Sequence, residues 1–149
     1  MSAIYNFRAV SDKLACSGQP RGGQLASIEA DGYQVVINLG LADAKYALAN
    51  EAASVERLGL TYHHIPVLFD SPQLEDLKAF IGRMNEHAEK KILVHCAANY
   101  RASAFTGLYL LSAGKIDADD MTSFIEDVWQ PDAVWQQFLD ESIAYVKSS

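Results

Sequence analysis

The sequence predicts an α/β fold of three layers: a mainly parallel central sheet of about four to five strands, with helices on both faces. Three observations predict it. Short runs rich in β-formers alternate along the chain with apolar residues at helical spacing. From Ala102 to Ser112 the residues are apolar almost all round, the pattern of a helix buried in the middle of a domain. The 149 residues are half apolar, with no internal repeat and no Pro/Gly/Ser-rich linker, so 1–149 reads as one domain with its own core.

Each element has a local reason. Leu14-Ala15-Cys16-Ser17 reads as a short strand ended by the turn residues Gly18-Gln19-Pro20. A short helix through Leu25 and Ile28 stops at Gly32, where glycine suits a left-handed cap. Tyr33 to Leu39 (YQVVINL) is rich in β-formers and bounded by Gly40, so it predicts a buried strand. Leu48, Ala52, Val55 and Leu58 keep helical spacing until Gly59. Thr61 to Val67 (TYHHIPV) predicts a strand whose Pro66 marks its end or a sheet edge.

Leu74, Leu77, Ile81, Met84 and Ala88 mark one face of the longest amphipathic helix. Lys91 to His95 (KILVH) is a compact fourth strand running straight into Cys96. Asp117 with Asp120 forms a capping pair for a helix through Met121, Phe124, Ile125 and Val128. Pro131 starts a last helix bearing Val134, Phe138, Leu139 and Ile143. Trp129 and Trp135 are read as core.

Charge narrows the partners. A formal net charge of −7 argues against binding nucleic acid or anionic lipid over a broad surface, so phosphate recognition must be local. No segment reaches the apolar length of a membrane span. Met1 to Val10 (MSAIYNFRAV) lacks the apolar run of a secretory leader. Cys16 and Cys96 make no disulfide framework, which points to a reducing, cytoplasmic setting. Oligomeric state is not legible.

The chemistry concentrates in Val94 to Ser103 (VHCAANYRAS), between a hydrophobic strand and a buried helix. Open α/β sheets bind ligands at this end of their strands. Ala97, Ala98, Asn99 and Tyr100 can turn successive backbone N–H groups inward at the mouth of the helix, an anion site. The same positive potential favours a thiolate on Cys96. Arg101 adds a planar fork matched to two oxygens of a tetrahedral anion. Its alternative is a structural ion pair.

His95-Cys96, a short loop and Arg101 resemble the cysteine-dependent protein phosphatases, especially the small dual-specificity type. With Ser17-Gly18-Gln19-Pro20, Val36 to Leu39, Tyr62 to Pro66 and HCAANYRAS, the chain is similar to a bacterial branch of that superfamily. That branch is related to the phosphatase-like domain of beta-lactamase-hydrolase-like proteins. The resemblance implies a metal-independent phosphatase without cofactor, acting on a phosphorylated protein or small molecule through a cysteinyl-phosphate on Cys96.

The chain departs from the family signature in spacing. The signature sets five residues between cysteine and arginine, usually with glycine third; here four residues intervene and Asn99 stands third. Asn is the best non-glycine occupant of a positive-φ position. An ungapped alignment would put Ala102 on the arginine and Ser103 on the following hydroxyl residue. Rhodanese-type sulfurtransferases also use a four-residue gap, so a Cys96 persulfide enzyme is the alternative reading. A third reading is a non-catalytic module for a phosphorylated partner.

The remaining roles come from other loops. Asp70 is the candidate general acid, and an aspartate in this movable loop is what the resemblance implies; before Pro72 it equally suits a helix cap. Asp43 is the fallback. Ser103 is a candidate hydrogen-bond partner of the sulfur, with local backbone bonding as its alternative. His95 is read as ordering the loop, because adjacent strand residues point to opposite faces. His63-His64 with Cys96 show no ligand spacing for a metal, and the two histidines read as structural strand residues. The resemblance places Gln19 near the site. Cys16 is a possible resolving thiol, with burial as its alternative.

Overall fold

The computed structural model describes residues 4–148, so the start of the Met1–Val10 stretch lies outside the described residues. A five-stranded sheet runs in the order β1-β2-β5-β3-β4. β1 (Arg8–Ser11) and β2 (Leu14–Ser17) form an antiparallel pair, whereas β2, β5 (Ile92–His95), β3 (Val35–Asn38) and β4 (Thr61–His64) run parallel. The α/β class and mainly parallel sheet are as predicted. β1 was not predicted: three of its four residues are exposed and two are polar, and only pairing with β2 makes them a strand.

Six helices follow the predicted order: α1 (Gly22–Ala30), α2 (Glu51–Arg57), α3 (Leu74–Glu86), α4 (Tyr100–Ser112), α5 (Ala118–Glu126) and α6 (Ala133–Ser148). Their ends obey local chemistry. Asp120 donates its backbone N–H to Asp117 at 2.8 Å, the expected cap of α5. α6 begins later than Pro131 because Asp132 is its cap, accepting the Trp135 N–H at 3.0 Å. α2 begins at Glu51, beyond the predicted Leu48, because Asn50 takes a left-handed φ of 56°.

Strand alternation sorts the core into two layers. Cys16, Val35, Ile37, Val94 and Cys96 face α3 to α6, where Phe80, Phe105, Leu108 and Trp135 complete one cluster. Ala15, Val36 and Leu93 face the opposite side and pack on Leu25 and Ile28 of α1 and Val55 of α2. The consequence for the site is direct. At the end of β5, His95 belongs to one layer and Cys96 to the other.

Candidate active site

β5 delivers Cys96 to the foot of a cavity of about 210 Å³, lined by Phe69, Cys96, Ala97, Ala98, Tyr100 and Arg101. The loop then turns into α4 at Asn99, which takes φ 72° as the residue before the helix. A left-handed conformation costs most L-residues roughly 1–2 kcal/mol, and Asn tolerates it best after glycine. Its Nδ2 donates to the Asn6 carbonyl at 3.0 Å, tying the turn to the N-terminal segment. The first amides of α4 have no intrahelical acceptor. One N–H at this helix start, that of Ala102, donates to Cys96 Sγ at 3.4 Å. The sulfur therefore sits where partial positive charge collects.

Arg101 is buried, 5% exposed. Its Nη1 donates to the Val67 carbonyl at 2.7 Å and its Nη2 to the Tyr46 hydroxyl oxygen at 3.2 Å. Its Nε is buried without a partner. Both partners are uncharged oxygens, so the ion-pair alternative for Arg101 is not what the fold makes of it. The guanidinium is anchored through its two terminal nitrogens, and the Nε–H is left over on a residue that lines the cavity.

The side of β5 away from the sulfur carries a polar brace. His95 Nε2 donates to Glu51 Oε2 at 2.6 Å, with both groups buried, and its Nδ1 lies 3.4 Å from the Cys96 carbonyl oxygen. Gln19 donates from Nε2 to the other Glu51 oxygen at 2.8 Å and from its backbone N–H to the Ala97 carbonyl at 2.9 Å. Burial alone would raise the Glu51 carboxyl, but the bond and charge from His95, helped by Gln19, hold it below its ordinary value. Gly18 packs so closely here that a Cβ would meet the Ala97 carbonyl oxygen at 2.7 Å. The Ser17–Pro20 turn is thus part of the loop's support, and Gln19 lies where expected.

None of Ser103, Asp70, Asp43 and Cys16 lines the Cys96 cavity. The Ser103 hydroxyl donates to the Tyr100 carbonyl at 3.0 Å, the local bond that competes for a serine in a first helical turn, and not to the sulfur. Asp70 is exposed and lines a separate groove with Val134, Gln137 and Phe138 of α6. Its neighbour Phe69 lines the Cys96 cavity instead, its carbonyl accepting the Trp135 indole N–H at 2.7 Å. Asp43, also exposed, does not line the cavity. Cys16 has its thiol pushed up to about 12, chiefly by burial, with Asn99 opposing and the Cys96 sulfur adding to the rise. Burial, the alternative reading of Cys16, is what the structure shows, and a thiol so raised is a weak nucleophile.

Two residues of the site were missed. Tyr46 holds Arg101 and also accepts the Leu41 N–H at 2.8 Å. Glu51 holds His95. Neither lies in a recognisable motif, and both act across long stretches of chain; the only sequence hint is a Glu on the otherwise apolar face of a short helix. The aromatic residues do more than fill core: Trp129 stacks on Tyr100 at 4.7 Å, backing the cavity rim.

No family model matches the chain. Its structure is similar to that of a candidate phosphatase of the DUF442 family from Shewanella putrefaciens CN-32, at 35% identity and a TM-score of 0.90, covering 97% of this chain and 95% of that one. It is also similar in fold to Tk-PTP in its active form, at 20% identity, 0.75 TM-score and 96% and 97% coverage. PTPMT1 in complex with PI(5)P matches at 11% identity and 0.81, covering 95% and 97%. Among curated proteins, the Beta-lactamase hydrolase-like protein of Xylella fastidiosa (strain Temecula1 / ATCC 700964) is 30% identical over 115 residues, 75% of this chain. The chain spans 26% of the length of that relative.

Proposed function

This chain belongs to the DUF442 family of candidate phosphatases, and on that premise we propose that it hydrolyses phosphate monoesters with Cys96 as nucleophile and Arg101 as oxyanion clamp. The observation that carries the reading is the Arg101 Nε, buried and unpartnered on a side chain that lines the same cavity as the sulfur. A buried donor without an acceptor costs about 1–3 kcal/mol, which an oxyanion in the cavity would offset.

In the first step the Cys96 thiolate attacks phosphorus in line and the bond to the leaving oxygen breaks. Arg101, with the loop amides of Ala97 to Tyr100, holds the equatorial oxygens as their charge spreads. In the second step water attacks the cysteinyl-phosphate and returns the thiolate. Asp70 protonates the leaving oxygen and then takes the proton of the attacking water. Phe69, the residue before it, lines the cavity, and a rotation of the loop beyond Phe69 would carry the Asp70 carboxyl in from its groove beside α6. Sulfur, amides and guanidinium supply the nucleophile and the charge, so the cycle is written without a metal ion.

The Phe69 and Tyr100 rim supports esters whose phosphate is borne on a flat or apolar group. Aryl-phosphate hydrolysis, measured beside sulfur transfer from thiosulfate to cyanide, tests the proposal. Release of phosphate without thiocyanate is expected. Thiocyanate alone would make the chain a sulfurtransferase, and neither product with phosphate still bound would make it a binding module.

A further inference from the structure

We infer that His63, Glu86 and His87 form a binding site for one divalent transition-metal ion of the zinc class. The three come from two elements: His63 from the edge strand β4, Glu86 from the last turn of α3, and His87 from the residue that caps it. None of them lines the Cys96 cavity.

The argument is one of geometry and lone pairs. The His63 and His87 Nε2 atoms lie 2.9 Å apart, and Glu86 Oε2 lies 3.1 Å from the second and 3.7 Å from the first. Bonds of about 2.05 Å in a tetrahedral zinc site set ligand–ligand distances of about 3.3 Å, inside that range. A point about 2.05 Å from all three atoms sits roughly 0.75 Å off their plane, against about 0.7 Å for an ideal tetrahedral centre. The fourth position is left to water.

With both imidazoles neutral, one proton on His87 Nε2 must be shared between two acceptors. A neutral His87 Nε2 is either a donor or an acceptor, yet it faces a second imidazole nitrogen and a carboxylate oxygen at once. A single cation accepts a lone pair from all three. Arg83 competes, with Nη1 3.2 Å from the same Glu86 oxygen, but both side chains are about half exposed and the guanidinium can move to Oε1. Two imidazoles and one carboxylate favour Zn²⁺, Co²⁺, Ni²⁺ or Cu²⁺ over Mg²⁺ and Ca²⁺. Bound there, the ion ties the edge strand to the end of α3.

The test is calorimetric titration of the chelator-treated protein with Zn²⁺, in the wild-type chain and in Cys96→Ser, which removes the competing thiol. One equivalent is expected to bind in both, with a rise in Tm. His63→Gln and His87→Gln should each weaken binding by at least about 100-fold, the upper end of what losing a mere supporting partner costs. Both should leave aryl-phosphate turnover unchanged. His64→Ala, at the next strand position with its ring on the Gly40 carbonyl, should keep the ion. Where a glutamine variant fails to fold, Co²⁺ absorption of the Cys96→Ser protein substitutes for it, a four-coordinate nitrogen/oxygen spectrum being expected. No binding to Cys96→Ser, undiminished binding in the glutamine variants, or a thiolate charge-transfer band would overturn the assignment.

Discussion

His95 and Cys96 are neighbours in sequence, yet they work on opposite faces of the same sheet. On the His95 side the ionisable groups find partners within the chain: Glu51 meets His95 and Gln19, and the Gln19 N–H meets the Ala97 carbonyl, with the Gln19 Oε1 left unpaired. On the Cys96 side Arg101, whose side chain lines the sulfur's cavity, keeps a buried donor unpaired. The difference teaches a division of labour. The Glu51 side braces the loop's shape through a bonded acid and base, and the Cys96 side keeps a cationic donor for a ligand. Substitutions on the two sides should therefore separate turnover from stability.

The largest effect belongs to Cys96→Ser, which should lower turnover by roughly 10⁴-fold or more while inorganic phosphate still binds. Residual activity near wild type would remove Cys96 from the mechanism. Arg101→Lys keeps a positive charge but loses the fork and Nε, so kcat/KM should fall about 10²- to 10³-fold. A loss below tenfold would show that the guanidinium serves structure alone. Asp70→Asn should slow esters of poor leaving groups by about 10²-fold and good ones far less. Equal slowing of both would exclude proton donation by that side chain.

The smallest change in turnover and the largest in stability should come from Glu51→Gln. Losing one partner of a buried pair costs about 3 kcal/mol, readable from urea unfolding at neutral pH. Because the Glu51 carboxyl is held below its ordinary value in the folded chain, its contribution is complete above the unfolded carboxylate's pKa and disappears as pH falls through the folded one. The wild type and Glu51→Gln should accordingly converge in stability on the acid side. A gap that stays constant with pH would mean the charge of the Glu51 carboxylate contributes nothing.

Much of the fold was legible because most strands and helices carry their own signal. Val35 to Asn38 and Ile92 to His95 are compact β-forming runs, and α4 is apolar on every side. β1 carries no such signal and depends on its partner strand. Within the site, Cys96, Asn99 and Arg101 were legible because six consecutive residues hold a sulfur, a turn and a cation. Tyr46 and Glu51 were not, since they reach Arg101 and His95 across 55 and 44 residues. Ser103 takes the second of its two readings, because a local carbonyl lies within reach of its hydroxyl. Asp70 points toward α6 because the Trp135 indole fixes the carbonyl of the residue before it.

The most direct test is a crystal structure of the protein soaked with orthovanadate. Vanadium should lie within bonding distance of Cys96 Sγ, with one oxygen accepting the Arg101 Nε–H. An oxyanion seated elsewhere, or an Nε still unpartnered beside a vanadate-bound sulfur, would contradict the account.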